Sequence, residues 1–243
     1  MPTFVDFAYL IFFAGVLTLF EHFVWFPRFR AEVSAGVPGA RRRAYRRATI
    51  GQWAVTLGAA IIWFTRGRTA SDLRLSAPSG WRFVVGLAIG AAAIAFVVVQ
   101  LISIRRAKPS DLAAARPRLQ MYEFILPHTP VDLRWFIALS FTAGFCEEFL
   151  YRGYLAWVLH WWLGWTGGVA VGVALFGVAH MYQGKKGAFR ATLAGVVMGI
   201  IFLTTQWLVP AMILHALIDF GSGVVGYTVF RDAPDAALQS SAD

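Results

Sequence analysis

The sequence is short of most things that a soluble catalytic domain relies on. It has a single cysteine, Cys146, in 243 residues. No intrachain disulfide can form, and a cysteine-built metal cage is excluded. Charged residues make up 14% of the chain, against about 25% in a soluble domain. Lysine is rarer still, since 19 of the 22 basic residues are arginine. There is no internal repeat, no glycine-rich phosphate loop and no low-complexity segment. The first apolar run lacks a basic n-region and a small-residue cleavage site, so it is expected to be retained as a transmembrane helix.

What is there instead is apolar sequence. Hydrophobic residues are 58% of the chain, and the mean hydropathy is +0.60. A spanning helix needs about 20 predominantly apolar residues. The sequence predicts an all-α polytopic transmembrane helix bundle of about seven spans, with six and eight as the bounds. The spans fall near residues 4–26, 49–65, 81–104, 133 onward, 167–182, 188–205 and 209–230. The fourth carries Glu147 and Glu148 and can continue into an aromatic stretch at 157–165. The organisation expected is N-terminal spans and basic loops over 1–132, a catalytic core over 133–230 and a disordered tail over 231–243.

The net charge of +9 would suit a nucleic-acid binder only if the basic residues coated a soluble face. They sit in clusters between apolar runs, so no nucleic-acid partner is expected and the bilayer is. Arg28, Arg30, Arg41, Arg42, Arg43, Arg46 and Arg47 fall in the first connection. Arg105, Arg106, Lys108, Arg116 and Arg118 fall in the third, and Lys185, Lys186 and Arg190 in the fifth. Odd connections share one side, which the positive-inside rule makes cytoplasmic. An integral protein of the bacterial cytoplasmic membrane follows, with its N-terminus outside and its C-terminus in the cytoplasm. The long third connection can hold an interfacial amphipathic helix.

A charge at the bilayer centre costs roughly 3 kcal/mol or more, so polar residues inside spans point to cavities and function. Three groups stand out. Glu148 and Arg152 are four apart and share a helix face, so they can pair and neutralise each other. Glu147 points elsewhere, and a carboxylate stripped of water there suits a general base. Phe176 and His180 share a face of the fifth span. On the seventh, Asp219 lies one turn from His215 and can receive a ring N–H, setting the tautomer. Glu147, His180 and His215 could hold zinc or another divalent metal with an open water position. Alternatively, Glu147 and His180 could activate water directly while His215 stabilises an oxyanion. Either chemistry hydrolyses an amide. Glu21 and His22 fall outside these groups, near the end of the first span.

At these residues the sequence resembles the CAAX protease and bacteriocin-processing family of intramembrane proteases. That family carries a paired-Glu motif ending in Arg, a Phe-three-residues-His motif and a His-three-residues-Asn/Asp motif. Here they read Glu147, Glu148 and Arg152; Phe176 and His180; His215 and Asp219, spread over about residues 133–228. The resemblance implies an intramembrane endopeptidase, metallo- or glutamic-type, acting on a membrane-associated protein or peptide. It makes Glu147, His180, His215 and Asp219 catalytic and Glu148, Arg152 and Phe176 supporting. The last motif position is Asp219, where prenyl-protein-processing members typically carry Asn. Two other readings use the same residues. One is a proton-coupled transporter, and the other is a non-catalytic scaffold or immunity protein on the same fold.

Overall fold

The computed structural model describes residues 1–231, so the tail expected to be disordered lies outside the described residues from 232 onward. In hydrocarbon every backbone N–H and C=O must be satisfied within the chain, and helices do this one segment at a time. The described residues accordingly form helices and no strands. We number them α1 (Phe4–Ser34), α2 (Ala40–Thr65), α3 (Trp81–Arg106), α4 (Pro109–Leu119), α5 (Pro130–Glu148), α6 (Ala156–Ala179), α7 (Gly184–Thr205) and α8 (Leu208–Phe230). Helix α1 contains two π-helical stretches, Ile11–Leu17 and Glu21–Trp25, and a third, Phe149–Leu155, joins α5 to α6.

By length and composition, five helical stretches among the described residues can cross a membrane, and one of them runs 76 residues from Pro130 to Thr205. At 1.5 Å per residue that is far longer than a bilayer is thick. Two breaks divide it. Gly164 has φ +65 and ψ 170, a backbone that only glycine adopts cheaply. The chain folds back there, because a Cβ on Gly168 would meet the Ala156 carbonyl oxygen at 2.7 Å. The second break is the 3-10 turn His180–Gln183. These breaks fall between the fourth, fifth and sixth spans expected from hydropathy.

The helices outrun the apolar sequence at their ends. Arg28 and Arg30, expected in a loop, lie on α1, and Arg41 to Arg47 form the first turns of α2. Arginine and alanine are good helix formers, so the helix continues where the membrane stops. The third connection does contain a helix, α4. Its Leu112, Ala115 and Leu119 pack on Leu126, Val229 and Phe230 at the end of α8.

The three basic connections meet at one end of the bundle. Arg30 donates to the Tyr182 carbonyl at 3.1 Å, Arg41 to the Glu123 carbonyl at 3.4 Å and Arg190 to the Tyr122 hydroxyl at 3.2 Å. Arg116 reaches the Val229 carbonyl at 3.1 Å, which brings the end of α8 to the same face. A fully buried carboxylate organises another part of the bundle. Asp6 takes two bonds of 2.7 Å from Arg68, one of 2.8 Å from Tyr154 and one of 2.6 Å from the Thr3 N–H. That network ties the start of α1 to the α2–α3 connection and to the π-helical turn. The main apolar core draws on both halves of the chain, from Leu10, Ala59 and Trp63 to Phe176, Phe202 and Met212.

One contact sets the position of everything at the centre. A Cβ on Gly144 would lie 2.6 Å from both the Ala216 N and Cβ, so α5 and α8 touch backbone to backbone. Small residues permit such approaches in membranes. Gly144→Leu is expected to lower the thermal midpoint of the detergent-solubilised protein, by ~1–3 kcal/mol or more of stability. At Gly15 an added methyl would meet nothing within 4 Å among the described residues, so alanine should be accepted there with no loss. Equal behaviour of the two variants would show that the α5–α8 approach is not the tight point of the fold.

Candidate active site

The close crossing of α5 and α8 puts the paired glutamates beside His215. Glu148 is fully buried, and Arg152 and His215 are 1% and 5% exposed. Arg152 Nη1 donates to Glu148 Oε1 at 3.0 Å, and His215 Nδ1 lies 2.9 Å from that same oxygen. The second arm of the guanidinium, Nη2, donates to the Gly195 carbonyl on α7 at 3.0 Å. Its plane lies over the Phe176 ring, 4.7 Å from the centroid. A buried guanidinium is tolerated only when paired and hydrogen-bonded, and α5, α6 and α7 each supply this one with a contact. The π-helical turn Phe149–Leu155 carries Arg152; such turns occur often at functional sites.

Glu147 has different surroundings. Its side chain is 16% exposed. Oε1 accepts from Gln52 Nε2 at 2.8 Å, Gln52 standing on α2. Oε2 has no hydrogen-bond partner among the described residues and stands 3.8 Å from His215 Nε2. On the other side of that nitrogen, Asp219 Oδ2 stands at 3.7 Å, with its side chain 38% exposed. His215 therefore turns Nδ1 to the buried pair and Nε2 to a space bordered by two carboxylates.

His180 closes α6, and its Nδ1 lies 2.8 Å from the Phe176 carbonyl oxygen. A carbonyl only accepts, so Nδ1 carries the hydrogen and Nε2 presents a lone pair. Phe176 links the two imidazoles, with ring centroids 4.3 Å from His180 and 5.9 Å from His215. Tyr182, 5.9 Å from His180, stacks at 3.5 Å on Phe26 of α1.

The residues singled out in the sequence are thus gathered in one place, with three differences. First, His215 Nδ1 is held by Glu148 across the helix crossing; Asp219 stands beyond hydrogen-bond distance, on the other ring nitrogen. The i,i+4 spacing brings Asp219 near, but the Gly144–Ala216 approach delivers Glu148 closer. Second, among the described residues no ion pair or hydrogen bond joins Glu147 to His180. Glu147 lies against His215, and Phe176 lies against both imidazoles. Third, no three His, Cys, Asp or Glu side chains among the described residues form a group that could hold a metal ion. Glu147, His180 and His215 do not fit a three-ligand site as arranged here. Reasoning from sequence misses two site residues. Gly195 supplies a carbonyl and the room for Arg152, since a Cβ there would meet Nη2 at 2.9 Å. Gln52 lies in a span that carries none of the three motifs. Outside the site, His160 stacks on Trp165 at 4.6 Å among the other tryptophans, and His22 lies against Phe23.

Removing Arg152 alone strands the Glu148 charge. Arg152→Met is expected to cost about 3–5 kcal/mol of stability. Adding Glu148→Gln, whose amide oxygen can still accept from His215, should restore much of it. Unfolding of the single and double variants in detergent measures this. A double variant no more stable than Arg152→Met would mean the pair is not the source of the loss.

Residues 129–221 match the family model described as type II CAAX prenyl endopeptidase Rce1-like. No curated protein and no solved structure matches the chain.

Proposed function

We propose, for a chain whose residues 129–221 belong to the CAAX protease family, that Glu147 is the general base of an intramembrane endopeptidase. The family implies a protease; the assignment of roles within the site is our own. One observation carries it. Two adjacent glutamates have opposite environments. Each keeps one oxygen without a partner among the described residues, but Glu148 is fully buried and locked against Arg152 and His215, while Glu147 is partly open and its Oε2 faces His215 Nε2. A base needs such an unpartnered, desolvated oxygen within reach of the reacting proton.

In the reaction, Glu147 Oε2 takes one hydrogen of a water molecule, and His180 Nε2 accepts a hydrogen bond from the other. The water oxygen attacks the scissile carbonyl carbon, and the carbonyl electron pair moves onto oxygen. His215 Nε2, carrying a proton, stabilises that oxyanion, with Asp219 beside it. As the oxyanion's electron pair re-forms the carbonyl and the C–N bond breaks, Glu147 returns the proton to the amide nitrogen, which leaves a carboxylic acid and an amine. Glu148 and Arg152 hold His215 in place, and Phe176 spaces the imidazoles. One nitrogen of each histidine is already committed, His180 Nδ1 to Phe176 and His215 Nδ1 to Glu148. Such anchoring suits a metal ligand as well as a hydrogen-bonding imidazole, and the preference for glutamate-type activation rests on the described residues' forming no three-ligand group.

The substrate class we infer is a membrane-associated protein or peptide, reached from a bilayer. The convergence of the basic connections with the end of α8 supports a cytoplasmic C-terminus and an external N-terminus. A reporter enzyme fused after α8 should be active in the cytoplasm; activity only in the periplasm overturns the orientation.

For the chemistry, proteoliposomes would be supplied with a farnesylated CAAX peptide and with a non-prenylated peptide on a membrane anchor. Glu147→Gln and His180→Ala are each expected to lower kcat by at least ~100-fold for whichever probe is cut, with unchanged extraction and thermal midpoint. Dialysis against a chelator should leave cleavage intact. Full activity in Glu147→Gln overturns the assignment of the base. Loss on chelation, restored by zinc, overturns metal-independent activation. Cleavage of neither probe by the unaltered protein counts against the protease reading itself.

A further inference from the structure

We infer that Gln52, on α2 and outside the segment that matches the family, is a positioning residue for Glu147. It fixes which carboxylate oxygen is spent and which is left to react. This deepens the reading of Glu147 as the base and rests on it.

The geometry is specific. Gln52 Nε2 donates to Glu147 Oε1 at 2.8 Å, and Glu147 Oε2 has no partner among the described residues. The two oxygens of a free carboxylate exchange by rotation about the last side-chain bond. A donor held on a separate helix removes that equivalence. Gln52 is itself held, because its neighbour Trp53 donates Nε1–H to Thr142 Oγ1 at 3.2 Å and stacks on Phe145 at 5.2 Å. Those contacts hold α2 against α5 within two turns of Glu147.

Within the described residues, the Gln52 side chain spends its hydrogen bonding on Glu147.

Charge supplies the second argument. Glu148 is neutralised by Arg152, whereas Glu147 is met by a neutral amide. The next cation along α2 toward the basic end is Arg47, and it is turned away. Its guanidinium lies over Trp25 at 4.6 Å and Phe20 at 5.8 Å, both on α1. A cation at position 52 would pair with Glu147 as Arg152 pairs with Glu148, and would take the reactive carboxylate out of use. The neutral donor orients the carboxylate without placing a cation on Oε1, and leaves Oε2 facing the His215 imidazole at 3.8 Å.

The test uses the full chain in proteoliposomes, with the peptide probe that the unaltered protein cuts, and reads kcat, KM and thermal midpoint separately. Gln52→Leu should lower kcat about 10–100-fold, since small misplacements of a reacting group have effects of that order. KM should stay within about twofold, the change being made on the enzyme's own base rather than on substrate binding. Gln52→Lys should lower kcat at least as far without lowering the thermal midpoint, a combination that a packing role does not produce. Tyr45→Phe, which loses the α2 bond to the Ile125 carbonyl two turns away, should keep kcat within threefold or so. Retention of kcat by Gln52→Leu, or an equal loss in Tyr45→Phe, overturns the inference. Should Gln52→Lys fail to fold, the leucine and phenylalanine variants still decide. Glu147→Gln run alongside separates the two levels: if it remains active, the reading of the base fails; if it is dead while Gln52→Leu is unaffected, only the role of Gln52 does.

Discussion

The bond between Arg152 and Glu148 holds four helical segments in register. A guanidinium and a carboxylate that are both out of contact with solvent cost several kcal/mol each unless they are paired. Arg152 therefore recruits the Gly195 carbonyl from α7 and the face of Phe176 from α6, while Glu148 recruits His215 from α8. Each of those contacts fixes a residue that borders the reaction space. Phe176 carries His180 on its own helix turn, and His215 points its free nitrogen toward Glu147 and Asp219. The pair behaves less as a source of stability than as a specification of geometry. Apolar replacements of similar volume could match its stability but would not orient an imidazole.

Adjacent residues of identical chemistry can be put to opposite uses in this way. On a helix, successive side chains diverge by about 100°, so Glu147 and Glu148 look into different environments. One meets a neutral amide, the other a cation and an imidazole. The difference between a structural carboxylate and one kept available lies entirely in the partners supplied by α2, α8 and the π-helical turn.

How far all this is legible in the sequence depends on which contacts are local. The spans can be read because hydrophobic length is set by the bilayer, and the breaks at Gly164 and His180 fall where one apolar run gives way to the next. The Glu148–Arg152 pair can be read because both residues share one helix. The ends of α1 and α2 cannot, since hydropathy marks the edge of the membrane and not the end of a helix. The partner of His215 escapes for a related reason. Asp219 is visible at i+4, whereas Glu148 arrives across an interface made possible by Gly144 and Ala216. Gln52 does carry a signal, as a neutral polar residue between Gly51 and Trp53 in an apolar run. A search confined to charges and histidines passes over it. Gly195 carries none, because what it contributes is a backbone carbonyl and an absence of side chain.

The order of the helices bears on how the protein is made. Gln52 and Glu147 are 95 residues apart, and Glu148 and His215 are 67 apart. During synthesis α2 and α5 are in the membrane well before α8 leaves the ribosome. In that interval Glu148 and Arg152 can already satisfy each other, since both lie on one segment. That pair thus enters the bilayer neutral, without its imidazole. The proposed site is assembled only when the last helix docks against Gly144.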